Sequence, residues 1–163
     1  LELKTFTEQN VLDYCLLNNL NIDKIKKLNM INNRLTDISG IKVFKNLEIL
    51  WLSFNEINDI SIIKNLKSLE DLNIGYNKIT HISILKDLIK LKKLYLDNNK
   101  ITDISVIQNF KNLEYLHIDN LKLESDQIKY IDNLENLKYL SCENGFKDIN
   151  VLNKLNKIIK VIK

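Results

Sequence analysis

Several residue types are scarce or missing from this chain of 163 residues. It has no proline, no alanine, three glycines and one arginine. These absences exclude a collagen-like chain and a disordered chain rich in proline and glycine. Because 45% of the residues are apolar, the chain has enough apolar surface to form one folded core.

Cysteine and long apolar runs are also limited. Cys15 and Cys142 lie near opposite ends of the chain, so we expect two reduced, buried thiols and no disulfide. No run of roughly 18 apolar residues occurs, which excludes a membrane-spanning helix, and the first residues do not resemble an export signal. None of the 24 asparagines begins an Asn-x-Ser/Thr sequon, which favours an intracellular over a secreted protein.

One template recurs every 22 residues. It has apolar residues at positions one, four, six and eleven and asparagine at position nine, and it continues with apolar residues three apart, a spacing typical of 3₁₀ turns. A short strand with a return turn cannot bury its own apolar residues, so neighbouring copies must stack. We therefore predict an α/β solenoid with a parallel sheet on its concave side and 3₁₀ or short helical turns on its convex side.

Position nine is asparagine in four consecutive copies. A buried primary amide must satisfy both its donors and its acceptor. We predict that these side chains bond the backbone of their own bend and the loop of the next repeat, which would make a ladder of Asn33, Asn55, Asn77 and Asn99.

The later copies and the chain ends depart from the template. The fifth copy has Leu121 at position nine and a longer return, predicted to be an α-helical turn capped by Ser125, and the sixth has Gly145 at that position. We expect a single domain with an N-terminal cap over residues 1–21, about six repeats over 22–156 and an incomplete final repeat over 157–163.

The N-terminal cap is predicted to be helical. Thr5-x-x-Glu8 forms a capping box that would open a helix running to about Asn18. One face of this helix is apolar and is expected to cover the first repeat; it consists of Val11, Leu12, Cys15 and Leu16.

The repeat pattern resembles the 22-residue class of leucine-rich repeats, the class of the bacterial internalins and of the nuclear regulatory subunit of type-one protein phosphatase. The resemblance covers about residues 22–163. It is closest to the internalins in Leu35-Thr36-Asp37-Ile38-Ser39 and Ile101-Thr102-Asp103-Ile104-Ser105. The resemblance implies a leucine-rich-repeat fold and a binding role.

Positions three, five and seven of the template are expected to line the concave side, because alternate side chains of a strand point to opposite faces. They hold the only tryptophan, three of the six tyrosines and one histidine. Exposed aromatic residues are common anchors of protein interfaces, and acids in three consecutive copies at position seven would attract a basic segment of a partner. The predicted partner-binding residues are Trp51, Tyr95, Tyr115, His117, Tyr139, Asp97, Asp119, Glu143, Asp71 and Ile49.

Position eight holds two further aromatic residues, Phe54 and Tyr76. They lie beside the bend of the repeat, and we predict that they pack under the loop as part of the core.

Patterns typical of catalysis are missing. His81 and His117 have no neighbouring cysteine or nucleophilic serine pattern, and the three glycines are isolated, so no loop could cradle a phosphate. We therefore expect no enzymatic activity, no cofactor, no metal and no small-molecule substrate.

Three binding functions remain open: an intracellular regulator or inhibitor of another protein, a secreted internalin-like adhesin, and a ribosome- or RNA-associated factor. A pI of about 8.7 supports the last. Against it, lysine alternates with glutamate at position two, and arginine, the preferred reader of phosphates and bases, is nearly missing. The C-terminal segment Lys157–Lys163 reads as a strand with an unpaired edge, so we expect a monomer unless that edge pairs.

Overall fold

Among the residues that the structure describes, seven short parallel strands form one sheet, and their order in the sheet is their order in the chain. The computed structural model describes residues 6–155 and 160–162. The strands are β1 (Lys27–Asn29), β2 (Ile49–Trp51), β3 (Asp71–Asn73), β4 (Lys93–Tyr95), β5 (Tyr115–His117), β6 (Tyr139–Ser141) and β7 (Lys160–Ile162). Equivalent template positions pair across the sheet, as in Leu28 with Leu50 and Leu50 with Leu72. The predicted leucine-rich-repeat solenoid is confirmed.

The convex side consists of short turns. After most strands the chain returns through a 3₁₀ turn; these are Ser39–Val43, Ser61–Asn65, Ser83–Leu85, Ser105–Asn109 and Ile149–Lys154, and a further one, Ile22–Lys24, precedes β1. Apolar residues three apart suit this geometry because a 3₁₀ turn has three residues per turn. The core lies between the sheet and these turns, and the central leucines of β2 to β6 have no exposed surface.

The asparagines at position nine hold each bend to the repeat before it. The Asn77 Oδ1 accepts the Ile57 N–H at 3.0 Å, and its Nδ2 donates to the carbonyls of Leu52, Ile74 and Gly75 at 3.0 to 3.1 Å. Asn55 and Asn99 make equivalent bonds. The ladder is confirmed for Asn55, Asn77 and Asn99, and their bonds to their own bends are as predicted. The bonds between repeats were predicted in the wrong direction, because those partners belong to the preceding repeat and not to the next one. Among the described residues, the Asn33 side chain bonds only its own bend.

The N-terminal helix, α1 (Glu8–Leu17), packs against the turn Ser39–Val43. Its N-cap is Thr7, whose Oγ1 accepts the Asn10 N–H at 3.3 Å, and Thr5 of the predicted capping box lies outside the described residues. Val11 and Cys15 are buried as predicted. The prediction was wrong for Leu12 and Leu16, which are 38% and 78% exposed because only one narrow side of α1 meets the first turn.

The longer return of the fifth repeat contains a second helix, α2 (Ile128–Asp132). A 3₁₀ turn, Ser125–Gln127, precedes it, so Gln127 is its N-cap and makes no side-chain capping bond. The prediction that Ser125 caps this helix was therefore wrong. Leu121, which replaces asparagine at position nine, is buried.

Both cysteines are buried and free of disulfides, as predicted. The strand predicted near the C-terminus is β7, which pairs with β6. Residues 156–159 and 163 lie outside the described part of the chain, so the assignment of the whole of Lys157–Lys163 to a strand stays a prediction. The division into cap, repeats and incomplete final repeat likewise stays a prediction.

Candidate partner-binding face

The concave face consists of the side chains at positions three, five and seven of the repeats. Within β2 to β5 each strand buries its central leucine and leaves both flanking residues half-buried. A strand of three residues produces this pattern because its middle side chain points to the core and the other two point away. The predicted site residues Trp51, Tyr95, Tyr115, His117, Tyr139, Asp71 and Ile49 all lie on this face.

Four of the predicted aromatic residues form two ring pairs across adjacent strands, one stacked and one tilted. The rings of Tyr115 and Tyr139 have centroids 4.6 Å apart and are stacked in nearly parallel planes, at 9°. The rings of Tyr95 and His117 lie 4.5 Å apart and are tilted by 34°. The register of the sheet sets these contacts, because Tyr115 pairs with Tyr139 and Tyr95 with His117 in the ladder. The structure thus brings four rings together over three strands.

Trp51 lies apart from these rings, near the N-terminal end of the face. Its Nε1–H donates to Asp71 at 3.1 Å, and the Lys27 ammonium lies 3.9 Å from the ring centroid. The indole is thereby fixed by a hydrogen bond at its edge and a cation over its face. Asp71 orients the ring, and Ile49 lies beside it in the register between Lys27 and Asp71.

The three acids at position seven have different environments. The carboxylate of Asp119 accepts the Ser141 hydroxyl and the Glu143 N–H, each at 2.8 Å. The carboxylate of Asp97 lies against the backbone of Gly75: a Cβ at that glycine would be 2.6 Å from Asp97 Oδ1. Glu143 is exposed. The acidic ridge predicted from the sequence is present, and its first two members are held in fixed positions.

Burial shifts the pKa of Asp97, which belongs to this ridge, and of His117, which lies beside it. Desolvation raises the pKa of Asp97, and the nearby Asp119 carboxylate adds to this effect, although the side chain of Asn98 opposes it. Desolvation lowers the pKa of His117, against the attraction of the two aspartates. A charged partner that approaches this part of the face therefore meets a carboxylate with reduced hydration.

Ion pairs occupy one border of the concave face. At position two, the lysine ammonium groups lie 2.7 to 2.8 Å from glutamate oxygens in the pairs Lys26–Glu48, Lys92–Glu70 and Lys138–Glu114. The predicted alternation of lysine and glutamate thus forms cross-strand pairs. Their charges neutralise one another locally, so this border presents no continuous basic stripe.

The two aromatic residues at position eight are exposed and do not pack under the loop as predicted. Phe54 is 52% and Tyr76 is 43% exposed, and their rings stack at 4.1 Å. Both have positive φ, 59° and 53°, in the left-handed region that costs a bulky residue about 1–2 kcal/mol, whereas an aromatic pair returns only about 0.5–1.5 kcal/mol. Asparagine holds this position in the other repeats, Asn32, Asn98, Asn120 and Asn144. The asparagines at the equivalent positions were the signal in the sequence for a positive φ at Phe54 and Tyr76.

Metal-binding groups do not cluster in the described part of the chain. Over residues 6–155 and 160–162, no three histidine, cysteine, aspartate or glutamate side chains are placed to hold an ion. No helix within the same ranges has both the length and the apolar character that a bilayer crossing requires.

The repeats match a known family model. The model describes leucine-rich repeats in two copies, and it matches residues 23–65, 45–88 and 89–127. The chain belongs to the leucine-rich repeat family. Members of this family typically mediate protein–protein interactions, which is the binding role that the resemblance implies. No curated protein sequence matches the chain.

Solved structures of internalins share the fold of this leucine-rich repeat protein. Internalin C2 from Listeria monocytogenes is 32% identical over 72% of this chain and 51% of its own, with a TM-score of 0.69. The internalin inlF from the same species is 30% identical over 98% of this chain and 54% of its own, also with a TM-score of 0.69. The functional domain of InlJ from Listeria monocytogenes, which includes a cysteine ladder, is 26% identical over 73% of this chain and 25% of its own, with a TM-score of 0.64. This chain spans about half the length of the first two.

Proposed function

We propose that this leucine-rich repeat protein binds another protein through its concave face and acts as a regulator or inhibitor by covering a surface of that partner. One observation carries the proposal: the rings of Tyr95, His117, Tyr115 and Tyr139 form two contacting pairs on three adjacent strands, half-exposed and already in place without a partner. Large aromatic side chains in such positions are the typical anchors of protein interfaces.

Rigidity supports this function. The strands pair in one register, and the asparagine ladder ties consecutive bends together. Contact residues that are already fixed lose little conformational entropy when a partner docks, so more of the contact energy appears as affinity. The bond from Trp51 to Asp71 gives the indole the same advantage.

The acids beside these rings favour a partner with a basic contact segment. Asp97, Asp119 and Glu143 lie two residues after the ends of β4, β5 and β6, so that Asp97 and Asp119 are close to Tyr95 and His117. A lysine or arginine of the partner would neutralise the ridge and could also stack on the exposed ring faces. Steering by these charges would speed association at low salt and weaken as ionic strength rises.

Paired variants can test the concave face. The variant Tyr95→Ala/Tyr115→Ala removes one ring from each concave pair, and Phe54→Ala/Tyr76→Ala removes an exposed stacked pair of similar size outside the concave face. Each immobilised protein is incubated with a lysate, and bound proteins are quantified by mass spectrometry. We expect a discrete protein that binds wild type and the control but is reduced at least tenfold on the concave variant. Equal binding to both variants, with both folds intact, would contradict the proposal.

A secreted adhesin is the second candidate, because the similar solved structures are internalins. The missing sequons favour the intracellular regulator. The two functions differ in what surrounds the chain in its gene: an adhesin requires a leader upstream and a surface anchor, and a regulator requires neither. Reading the flanking codons distinguishes them.

The paired lysines at position two support a protein partner over nucleic acid. A ribosome- or RNA-associated factor would bind with an affinity that falls steeply with salt. It would also retain that affinity in Tyr95→Ala/Tyr115→Ala. Titration of the captured partner at two salt concentrations therefore separates these readings.

A further inference from the structure

The outer edge of the first strand, β1, pairs with none of residues 6–155 and 160–162, and the apolar side chains behind it are incompletely buried. Ile25, Leu28 and Met30 are only half-buried, whereas their equivalents in the second repeat, Leu47, Leu50 and Leu52, have no exposed surface. The helix α1 packs on the convex turn Ser39–Val43, so these three side chains keep one open side. A cleft of about 1030 Å³ lies here, lined by Leu28, Met30 and residues of α1.

At this edge, the backbone N–H groups at positions two and three lack, among the described residues, the acceptor that the equivalent groups have in the later repeats. In the second repeat, the N–H groups of Glu48 and Ile49 both donate to the Lys26 carbonyl, at 2.8 and 3.0 Å. The same two positions in the third to sixth repeats donate in the same way to the repeat before them. In the first repeat these positions are Lys26 and Lys27, and their N–H groups have no acceptor among residues 6–155 and 160–162.

The first asparagine of the ladder has the same open side. Asn55 accepts the Leu35 N–H on its Oδ1 and donates to the Met30 carbonyl, both in the preceding repeat. Asn33 donates to the Ile31 carbonyl of its own bend, and its Oδ1 receives no N–H from the described residues. Apolar side chains, backbone N–H groups and the side-chain amide of Asn33 therefore lack the same kind of neighbour among the described residues. One extended segment beside β1 would supply it to all three.

The charges at this edge indicate what that segment carries. Within the sheet, Lys93 lies over Tyr115 of the next strand and pairs in register with Asp71 of the strand before. Lys27 lies over Trp51 of the next strand in the same way, and the position before it is open. No described residue therefore takes the place beside Lys27 that Asp71 takes beside Lys93.

We propose that an extended segment of a partner protein, apolar at alternate positions and acidic between them, adds to the sheet in parallel beside β1. This proposal does not rest on the concave-face function, although Lys27 also contacts Trp51 of that face. A second copy of the chain fits less well, because β7 would place Lys160 at position three, in register with Lys27. Two lysines at directly opposite positions repel each other.

A peptide from the chain itself is a suitable probe. Residues 67–77 carry Glu70 and Asp71 at positions two and three and apolar residues at one, four and six. The acetylated peptide is titrated into the full chain, and amide hydrogen exchange is followed by NMR. We expect slower exchange at the N–H groups of Lys26 and Lys27 and no change at Glu48 and Ile49. A matched peptide with lysine at both acidic positions should bind at least tenfold more weakly.

Variants of the protein complete the test. Lys27→Glu should weaken peptide binding at least tenfold, and Lys129→Glu, an exposed charge reversal on α2, should leave it unchanged. If Lys27→Glu does not fold, the charge-reversed peptide tests the same contact. Three results would overturn the proposal: protection of the Lys26 and Lys27 amides in the free monomer, which means that the chain covers its own edge; protection that rises with protein concentration, which means a second copy; or equal binding of both peptides.

Discussion

Asn77→Ala is the sharpest test of what holds the repeats in register. The side chain is 9% exposed and makes four hydrogen bonds, one accepted from Ile57 and three donated to carbonyls. The carbonyls of Leu52 and Ile74 keep a second donor in Asn55 and Asn99, respectively. The Ile57 N–H has no other acceptor among the described residues, so alanine would leave it buried and unpaired.

The expected cost follows from these partners. A buried N–H without an acceptor costs about 1–3 kcal/mol, and the bonds lost from the two amide hydrogens contribute about 0.5–1.5 kcal/mol each. The sum is about 2–6 kcal/mol, a large part of the roughly 5–15 kcal/mol that stabilises a typical domain. Asn33→Ala is the matched control, because that exposed side chain donates one bond, to Ile31, and should cost less than about 1 kcal/mol.

Urea unfolding followed by circular dichroism measures both variants. We expect the free energy of unfolding to fall several times further for Asn77→Ala than for Asn33→Ala. Equal losses in the two variants would refute the reasoning, because the ladder would then contribute nothing beyond one ordinary surface bond. Asn77→Asp adds a second comparison: it keeps an acceptor for Ile57 but loses both donors and places a charge among carbonyls, so it should not restore stability.

Two further predictions concern Asp97 on the acidic ridge and His117 beside it. Gly75→Ala should push the Asp97 carboxylate toward solvent, so that the pKa of Asp97 falls toward its ordinary value. The free energy of unfolding should fall by less than about 1 kcal/mol. An NMR titration of the carboxylate measures the pKa, and an unchanged pKa would contradict the prediction. Burial lowers the pKa of His117 below 6.5, so the folded protein binds a proton at His117 less readily than the unfolded chain does. The stability that neutral His117 contributes is therefore complete above pH 6.5 and is lost as the pH falls through the lowered pKa. Urea unfolding at pH 7.5 and 5.5 should show a smaller loss for His117→Gln than for wild type, whereas His81→Gln should keep the wild-type loss.

The fold could be predicted from the sequence because the same template recurs in several consecutive repeats. Position four is leucine in every complete repeat, and its burial in β2 to β6 follows from stacking alone. The predictions failed where a repeat lacks a neighbour or the template changes. Leu16 was expected on the side of α1 that covers the first repeat, but α1 packs against the turn Ser39–Val43 and leaves Leu16 exposed. The helix α2 begins one 3₁₀ turn later than Ser125.

The candidate face was predictable in outline and not in detail. Alternation along the strands placed Trp51 and Tyr95 on one side of the sheet, since a period of two decides which face a residue takes. The bond from Trp51 to Asp71 depends on side-chain rotamers and could not be read from spacing. Phe54 was misjudged because its environment depends on a positive φ, which only the comparison with asparagines at the same position reveals.

Within the described sheet, each strand pairs only with the strands beside it in the chain. Local unfolding of one repeat can therefore spread only to its two neighbours. The repeats at the ends should unfold first, while the central repeats stay folded. Tyr95, on the fourth of seven strands, would be among the last aromatic residues to lose its surroundings. Damage to either terminus would then reduce the lifetime of the protein before it altered the shape of the central surface.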